Sequence, residues 1–373
     1  MAWATLILWL SLAVPLYAYL GYPIALLFMR VFVNRSVRKE PFEPQVTLLI
    51  PAYNEAEHIT DKIRNSLALD YPAAKLEVLV ACDGSRDGTP QLAQSLADGV
   101  RVRVLSFPDN RGKISTLNDG VRESKGEIVV FSDATALLKP DAVRRLMMSF
   151  ADGTVGAAGG RYMVVRPDDV NIGPSEDFYW KYETFLKTQE SDIASTLGAH
   201  GHLHAIRREL YPFPAPGTIN DDYVIPVSVL GKGYRAVYEP KAVVYEEARE
   251  MAGFGRRVRI MAGNLQQLRE IKALLRPLRP SALFFFFSHK MIRLAVPFAM
   301  VCALAANLWL VSSTFYAMLA LLQGLFYGLA ILGACVRLRP RFLSLPYYFS
   351  MINAAVFFAL YQVMSRRHSV AWK

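Results

Sequence analysis

Charge is missing from long stretches of this 373-residue chain. No Asp, Glu, Lys or Arg occurs from Met1 to Met29, between Arg293 and Arg337, or from Phe342 to Ser365. A helix needs roughly 20 apolar residues to cross a bilayer. The sequence therefore predicts one span near Trp3–Phe28, two between Leu294 and Val336 that turn at Ser312–Thr314, and one near Leu345–Met364. Those runs, with hydrophobic residues at 53% of the chain, exclude a purely soluble protein. Cysteine is scarce: Cys82, Cys302 and Cys335 form neither a zinc spacing nor a disulfide framework. There is no P-loop and no Gly-x-Gly-x-x-Gly turn, which removes two familiar phosphate cradles. The first span has no basic leader and no small-residue cleavage site, so it reads as an anchor rather than a signal peptide. Almost no charge lies inside the spans, which argues against a transporter.

The charge that is present is unbalanced. Lys and Arg number 42 against 32 Asp and Glu, a net +10. Bases cluster beside the spans: Arg30, Arg35, Arg38 and Lys39 after the first, Arg256 to Arg279 before the second, and Arg337, Arg339 and Arg341 between the third and fourth. Such clusters suit anionic lipid head groups better than nucleic acid. The positive-inside rule places them, with the long polar segment after the first span, in the cytoplasm. Four spans then put the C-terminus outside, against the sign of Arg366, Arg367 and Lys373, so the side of the tail stays open. "SALFFFFSHKMIRLAVP" reads equally as a segment lying flat in the interface before the second span. The expected layout is an N-terminal membrane helix over 1–33, a soluble domain over 40–250, amphipathic interface helices over 251–291 and three spans over 292–365. The expected location is the plasma (inner) membrane, with the soluble domain cytoplasmic.

Within 40–250, apolar strands alternate with amphipathic stretches. "VTLLIPAYNE" (46–55), "LEVLVACDGS" (76–85), "VRVLSF" (102–107) and "EIVVFSDA" read as strands. Helices are expected over Glu55–Leu69, "DGTPQLAQSLADG" and "RGKISTLNDGVRES". Repeats of that length predict an α/β fold, a mostly parallel sheet flanked by helices. In such sheets ligands bind at the carboxyl ends of the strands. Tyr53, Asn54 and Glu55 end the first strand, Asp83, Gly84 and Ser85 the second, and Asp133 the fourth. One such polar turn is ordinary loop chemistry. Carboxylates gathered at one sheet edge repel unless a cation or a donor-rich ligand joins them.

"PAYNEAEHI", "ACDGSRDGT", "NRGKISTLNDGV" and "FSDATALLKPDA", in that order, resemble the nucleotide-sugar-binding half of family 2 glycosyltransferases. The resemblance continues through "GAHGHLHAIRREL" (198–210), "NDDYVIPVSVLGKGYRAVYEPKAVVYEEA" (220–248) and "RRVRIMAG" (256–263). It covers roughly residues 44–265. It implies a GT-A-like fold and an inverting transfer from a nucleotide sugar. Pro51, Tyr53 and Glu55 are expected to border base and ribose, Asp83 to bond the uracil of a UDP-linked donor, and Lys113 to sit near the nucleotide. Asp133 matches the first acid of the family's Asp-x-Asp metal motif, and Thr135 stands at the second. Mg²⁺ or Mn²⁺ binds through one or two carboxylates with diphosphate oxygens and waters. The expectation is a divalent-metal site, Asp133 with Thr135, that depends on the donor's diphosphate.

Asn220-Asp221-Asp222 occupies the place of the family's Thr-Glu-Asp base motif, so Asp222 is the expected base, with Asp221 beside it. Adjacent carboxylates raise each other's pKa, which suits a base. The same pair also suits a helix N-terminus. "RRVRI" resembles the Gln-x-x-Arg-Trp motif of membrane-bound polysaccharide synthases. Arg259 matches its arginine and is expected to neutralise the leaving diphosphate. Arg256 and Ile260 replace the glutamine and tryptophan, and the lost aromatic argues against processive synthesis. His202 and His204 alternate and are expected to share a strand face. The expected partners are a nucleotide sugar, a lipid-linked or growing glycan acceptor and membrane lipids, in cell-surface or exopolysaccharide synthesis. A processive synthase that exports its product is the alternative. Another is a non-catalytic nucleotide-sugar-binding subunit, against which Asp83, Asp133, Asp222 and Arg259 all stand.

Overall fold

The computed structural model describes residues 1–165, 174–247, 254–336, 343 and 345–365. Helix α1, Ala2–Phe32, is long and apolar enough to cross a membrane. The chain then enters β1 (Val46–Ala52), followed by α2 (Ile59–Leu67), β2 (Leu76–Asp83), α3 (Thr89–Ser95), β3 (Val102–Phe107), α4 (Lys113–Glu123) and β4 (Ile128–Phe131). Every residue of β1, β2 and β4 is buried. Burial on both faces explains why these strands are near-continuous apolar runs. Then come β5 (Leu137–Leu138), α5 (Ala142–Ser149), β6 (Val155–Val165), α6 (Pro174–Ile193), β7 (His204–Arg207), α7 (Asp221–Gly231) and β8 (Arg235–Glu247).

The eight strands form one sheet in the order β3-β2-β1-β4-β7-β6-β8-β5. Pairing is parallel from β3 to β4, as expected. β7 then runs antiparallel between β4 and β6, and β8 is parallel to β6. This reversal positions the site. Phe131, the last residue of β4, pairs with His204, the first of β7. The loop that precedes β7 therefore arrives at the carboxyl end of β4. β6 and β8 end at that same edge, with Tyr162 opposite Val244 and Val164 opposite Glu246.

Two apolar layers sandwich the sheet. Leu48, Ile50, Val78 and Val80 face one layer with α2 and α5. Leu49, Leu79, Val129 and Ile206 face the other. That second layer includes Tyr22 and Leu26 of α1, and Ala282, Phe285 and Phe286. The ends of two long apolar helices are thus built into the core beside the sheet.

After α8 (Phe254–Gln266) come three further apolar helices of spanning length: α9 (Pro280–Trp309), α10 (Thr314–Cys335) and α11 (Leu345–Met364). A helix long and apolar enough to cross a membrane occupies each of the four expected positions. The turn between α9 and α10 falls at Leu310–Ser313, two residues earlier than the expected Ser312–Thr314, and Thr314 opens α10. The segment from Pro280 to Met291 continues into α9 as one helix. Each of α1 and α9 carries a π-helical turn, Tyr17–Gly21 and Phe286–Met291. The two turns meet through a 2.8 Å hydrogen bond between the Tyr17 and Ser288 hydroxyls.

Candidate active site

The loops after β1 and β2 are stitched together. The Asn54 amide donates to Ser85 Oγ (3.0 Å), the Glu55 amide to Thr89 Oγ1 (2.8 Å) and the Arg86 amide to Asn54 Oδ1 (2.9 Å). Pro51 lies inside β1, and Tyr53 and Glu55 are half-buried in this loop. Asp83 is fully buried. Its Oδ2 accepts the Arg111 and Gly112 amides at 3.0 and 2.8 Å, which seats the start of α4. Gly84 beside it has φ +68°, and a Cβ there would lie 2.4 Å from the Asn110 nitrogen, so the two loops close only over glycine. Asp83 therefore does structural work in this state. Its other oxygen, Oδ1, makes no hydrogen bond among the described residues and lies 3.5 Å from Arg111 Nε.

By fixing α4, Asp83 places Lys113. The Lys113 ammonium lies 3.0 Å from Asp133 Oδ1 and 3.2 Å from Asp221 Oδ2. Lys113, Asp133 and Asp221, which lie far apart in sequence, thus meet at the carboxyl edge of the sheet. Burial opposes the charge on Lys113, but Asp133 and Asp221 outweigh it and hold the amine well above the ordinary lysine range. Burial likewise pushes Asp133 up, and Lys113 with His202 overcomes it, so the carboxyl sits below the ordinary range.

Asp221 and Asp222 form the first turn of α7, with Asn220 at its N-cap. The Asp222 carboxyl is raised, first by burial and then by Asp221, against the pull of Lys187, Lys113 and Lys290. Its backbone is held from the loop before β7: the Ala199 amide donates to the Asp222 carbonyl at 2.7 Å. Lys187 of α6 in turn donates to the Gly198 carbonyl at 3.0 Å. Gly198 adopts φ +103°, and a Cβ there would sit 3.3 Å from the same Asp222 oxygen.

Arg259 is exposed on α8, within electrostatic reach of Asp221 and Asp133. Burial and Arg256 lower its pKa, and the two aspartates raise it. Helix α8 is keyed to the start of α7 through Asn220, whose Nδ2 donates to Asn264 Oδ1 at 3.0 Å. A Cβ on Gly263 would lie 2.3 Å from Asn220 Oδ1, so a glycine is needed for this approach. On its other side α8 packs Val258 and Ala262 against Ala355 and Ala359 of α11.

Three residues of this site escaped the sequence reading. Lys62 lies wholly buried beneath the end of β4, donating to Ser132 Oγ (2.7 Å) and to the Ala136 carbonyl. It falls on the i, i+3, i+4 stripe of Ile59, Ile63 and Ser66, which was the available signal. Glu246 of β8 accepts from Thr135 Oγ1 (2.7 Å) and from the Tyr162 hydroxyl (2.6 Å), and lies 3.1 Å from His202 Nε2. His202 stacks on Tyr162 with ring centroids 4.2 Å apart. His202 lies in the turn before β7, whereas His204 is in the strand, buried under Phe131 at 4.8 Å with neither ring nitrogen bonded among the described residues. The two histidines therefore do not form the shared strand face expected of them. Burial pushes His204 down to about 4, so it is neutral.

Among the described residues no cluster of three or more His, Cys, Asp or Glu side chains converges as a cation cage. The position of a second acid holds Thr135, whose hydroxyl is committed to Glu246. Asp133 is the carboxylate that remains at this point, and the Lys113 ammonium already rests on it. The donor set fits a cation that takes most of its oxygens from a bound diphosphate.

The Glycosyl transferase family 2 model matches residues 47–212. An N-acetylglucosaminyltransferase of Mesorhizobium japonicum is 28% identical over 218 residues, 55% of this chain and 51% of that protein. The poly-beta-1,6-N-acetyl-D-glucosamine synthase of Staphylococcus aureus is 24% identical over 213 residues, 56% and 51% of the two chains. The alignments thus span about half the length of these curated relatives. Among solved structures, a mannosyltransferase of Pyrobaculum calidifontis in complex with GDP-Man and Mn²⁺ superimposes with a TM-score of 0.70 at 25% identity, over 97% of this chain and all of that one. The expected GT-A-like fold, a mixed sheet with flanking helices, is present.

Proposed function

We propose, from the premise that this chain carries a glycosyl transferase family 2 domain, that it is a membrane-integrated inverting glycosyltransferase. It moves one sugar from a nucleotide-sugar donor to a lipid-linked or growing glycan at the cytoplasmic face. The observation that carries this reading is Lys113 bridging Asp133 and Asp221, with the raised carboxyl of Asp222 next in the chain. Asp222 takes the proton of the acceptor hydroxyl as that oxygen bonds to the anomeric carbon. The bond from that carbon to the diphosphate breaks, and its electron pair leaves with the nucleoside diphosphate. Lys113 and Arg259 stand where negative charge accumulates on the leaving group. A divalent cation, when bound with donor, supplies further charge neutralisation, with Asp133 as its protein carboxylate and Thr135 at the second position. Asp83 keeps α4 and Lys113 in place, and its second oxygen is the one left for a base N–H.

The donor is read as UDP-linked from the resemblance of the first two loops. A GDP-linked mannosyl donor is favoured instead by the Pyrobaculum structure, which holds GDP-Man. The test is nucleotide release from detergent-purified protein over a panel of UDP and GDP sugars, with Mn²⁺, Mg²⁺ or EDTA. Release with one donor that Asp222→Asn abolishes supports the reading. A donor that binds tightly in calorimetry and stays intact with every acceptor tried overturns it in favour of a binding subunit.

A further inference from the structure

We infer that Glu190 and Lys187 of α6 are positioning residues for Asp222, and that Glu190 ties the carboxylate pair to the long apolar helices α1 and α9. The inference rests on the reading of Asp222 as the base.

Lys187 and Glu190 stand three apart on α6, so they share one of its faces. Both are buried, and both grip the turn that precedes β7. Lys187 Nζ donates to the Gly198 carbonyl at 3.0 Å, and Thr196 Oγ1 approaches the same oxygen at 3.3 Å. Glu190 Oε2 accepts from Thr196 Oγ1 at 3.3 Å and from the Leu197 amide at 3.5 Å. The Thr196 amide is pinned to the Ala236 carbonyl of β8 at 2.9 Å. The turn therefore leaves the sheet from a fixed point, and three residues later the Ala199 amide holds the Asp222 carbonyl at 2.7 Å. A Cβ on Gly201 would lie 3.9 Å from Asp222 Oδ2, so the turn borders the carboxyl as well as the backbone.

The other oxygen of Glu190 serves different elements. Oε1 accepts the Tyr22 hydroxyl of α1 at 2.6 Å and lies 2.5 Å from His289 Nδ1 of α9. His289 sits in the π-helical turn of α9, where its neighbour Ser288 bonds Tyr17 in the π-helical turn of α1. Its Nε2 lies 3.5 Å from Glu183, which pairs with Arg293. One carboxylate thus receives two apolar helices on one oxygen and the turn against Asp222 on the other. Stability alone does not call for such a group, since apolar side chains of matching volume are often as good as a buried ion pair. What apolar side chains lack is direction: a hydrogen bond fixes distance and angle between the parts it joins. A base needs that, because about 1 Å of misplacement can cost about 10²-fold in rate.

The test uses the full chain in detergent. Hydrogen exchange read by mass spectrometry follows the amides of residues 196–200 and 220–224 and needs no turnover. Nucleotide release from whichever UDP or GDP sugar the wild type turns over gives kcat and the donor KM. Calorimetry with UDP and GDP on the same samples reports folding. Glu190→Gln and Lys187→Met are each expected to raise exchange about tenfold at the turn and at the start of α7, with β1 and β2 unchanged. In both, kcat should fall about 10–100-fold at unchanged KM, and Lys187→Arg, which keeps a donor for the Gly198 carbonyl, should recover most of the loss. Lys187 holds a carbonyl rather than a carboxylate, so Lys187→Met remains informative if Glu190→Gln unfolds. Wild-type exchange at the turn, exchange that rises equally through the sheet, or full kcat in both variants overturns the proposal. If the wild type turns over no donor, the enzymatic reading fails, and the exchange result alone decides whether α1 and α9 are tied to Asp222.

Discussion

Two lysines reach the end of β4 from opposite sides of the sheet, and burial acts on both in the same direction. Below the turn, among the described residues, Lys62 meets only neutral acceptors, Ser132 Oγ and the Ala136 carbonyl, with Asp133 helping at a distance. Burial wins there, and the amine is pushed down to about 7. Above the turn, Lys113 lies against two carboxylates, and its pKa is driven up despite burial. The contrast teaches that depth alone does not set a lysine's charge in this protein. Carboxylate oxygens at about 3 Å decide it, and only the upper side, where donor and acceptor would meet, has them. Lys62 supports the turn from a dry layer, and Lys113 supplies charge to the open face.

The largest effect should fall on the upper side. Asp222→Asn is expected to lower turnover by about 10²–10⁴-fold with donor binding retained, measured by nucleotide release and calorimetry. Lys113→Met comes next. It leaves Asp133 and Asp221 facing each other without their cation, a loss at or below the roughly 3–5 kcal/mol of a fully buried pair. Melts should show that loss together with weakened donor binding; a variant as stable as wild type would mean that the bridge carries little.

Lys62→Met should be milder, and its cost should grow with pH. The folded amine titrates near 7 and the unfolded one near 10.5, so between those values the unfolded chain binds more protons and wild type gains stability as pH rises. Below that window, the folded wild type carries a buried ammonium. Above pH 7 the substitution forfeits two good hydrogen bonds, about 1–3 kcal/mol. Denaturant titrations at about pH 6 and pH 9 test this, and a penalty larger at the lower pH would contradict it. The smallest effect is electrostatic. Because Asp221 raises Asp222, Asp221→Asn should move the acid limb of the rate profile to lower pH.

Much of the parallel half was legible in advance, because β1, β2, β3 and β4 are short apolar runs bounded by polar turns. The four spans were legible for a similar reason: uncharged runs of that length have few other uses. Asp133, Asp221, Asp222 and Arg259 came from matching motifs, and no spacing rule links residue 113 to 221 or 135 to 246. Those meetings follow from the reversal at β7, a matter of long-range register. Lys62 was hidden by its own type, since lysine on an apolar stripe is ordinarily read as solvated. Asp83 was read as a ligand for the base, and in the fold it first satisfies two backbone amides.

The keyed contact between Gly263 and Asn220 bears on whether the soluble part can live alone. A truncation at about residue 250 would keep every strand of the sheet. It would lose α8 and, with it, Asn264 and the wall against which Asn220 is set, one residue before the carboxylate pair. Val258 and Ala262 hold α8 to Ala355 and Ala359, so the support of the site extends to α11, nearly a hundred residues beyond the sheet. Domain autonomy, so plain in the strand pattern, ends at Asn220 and the two aspartates after it.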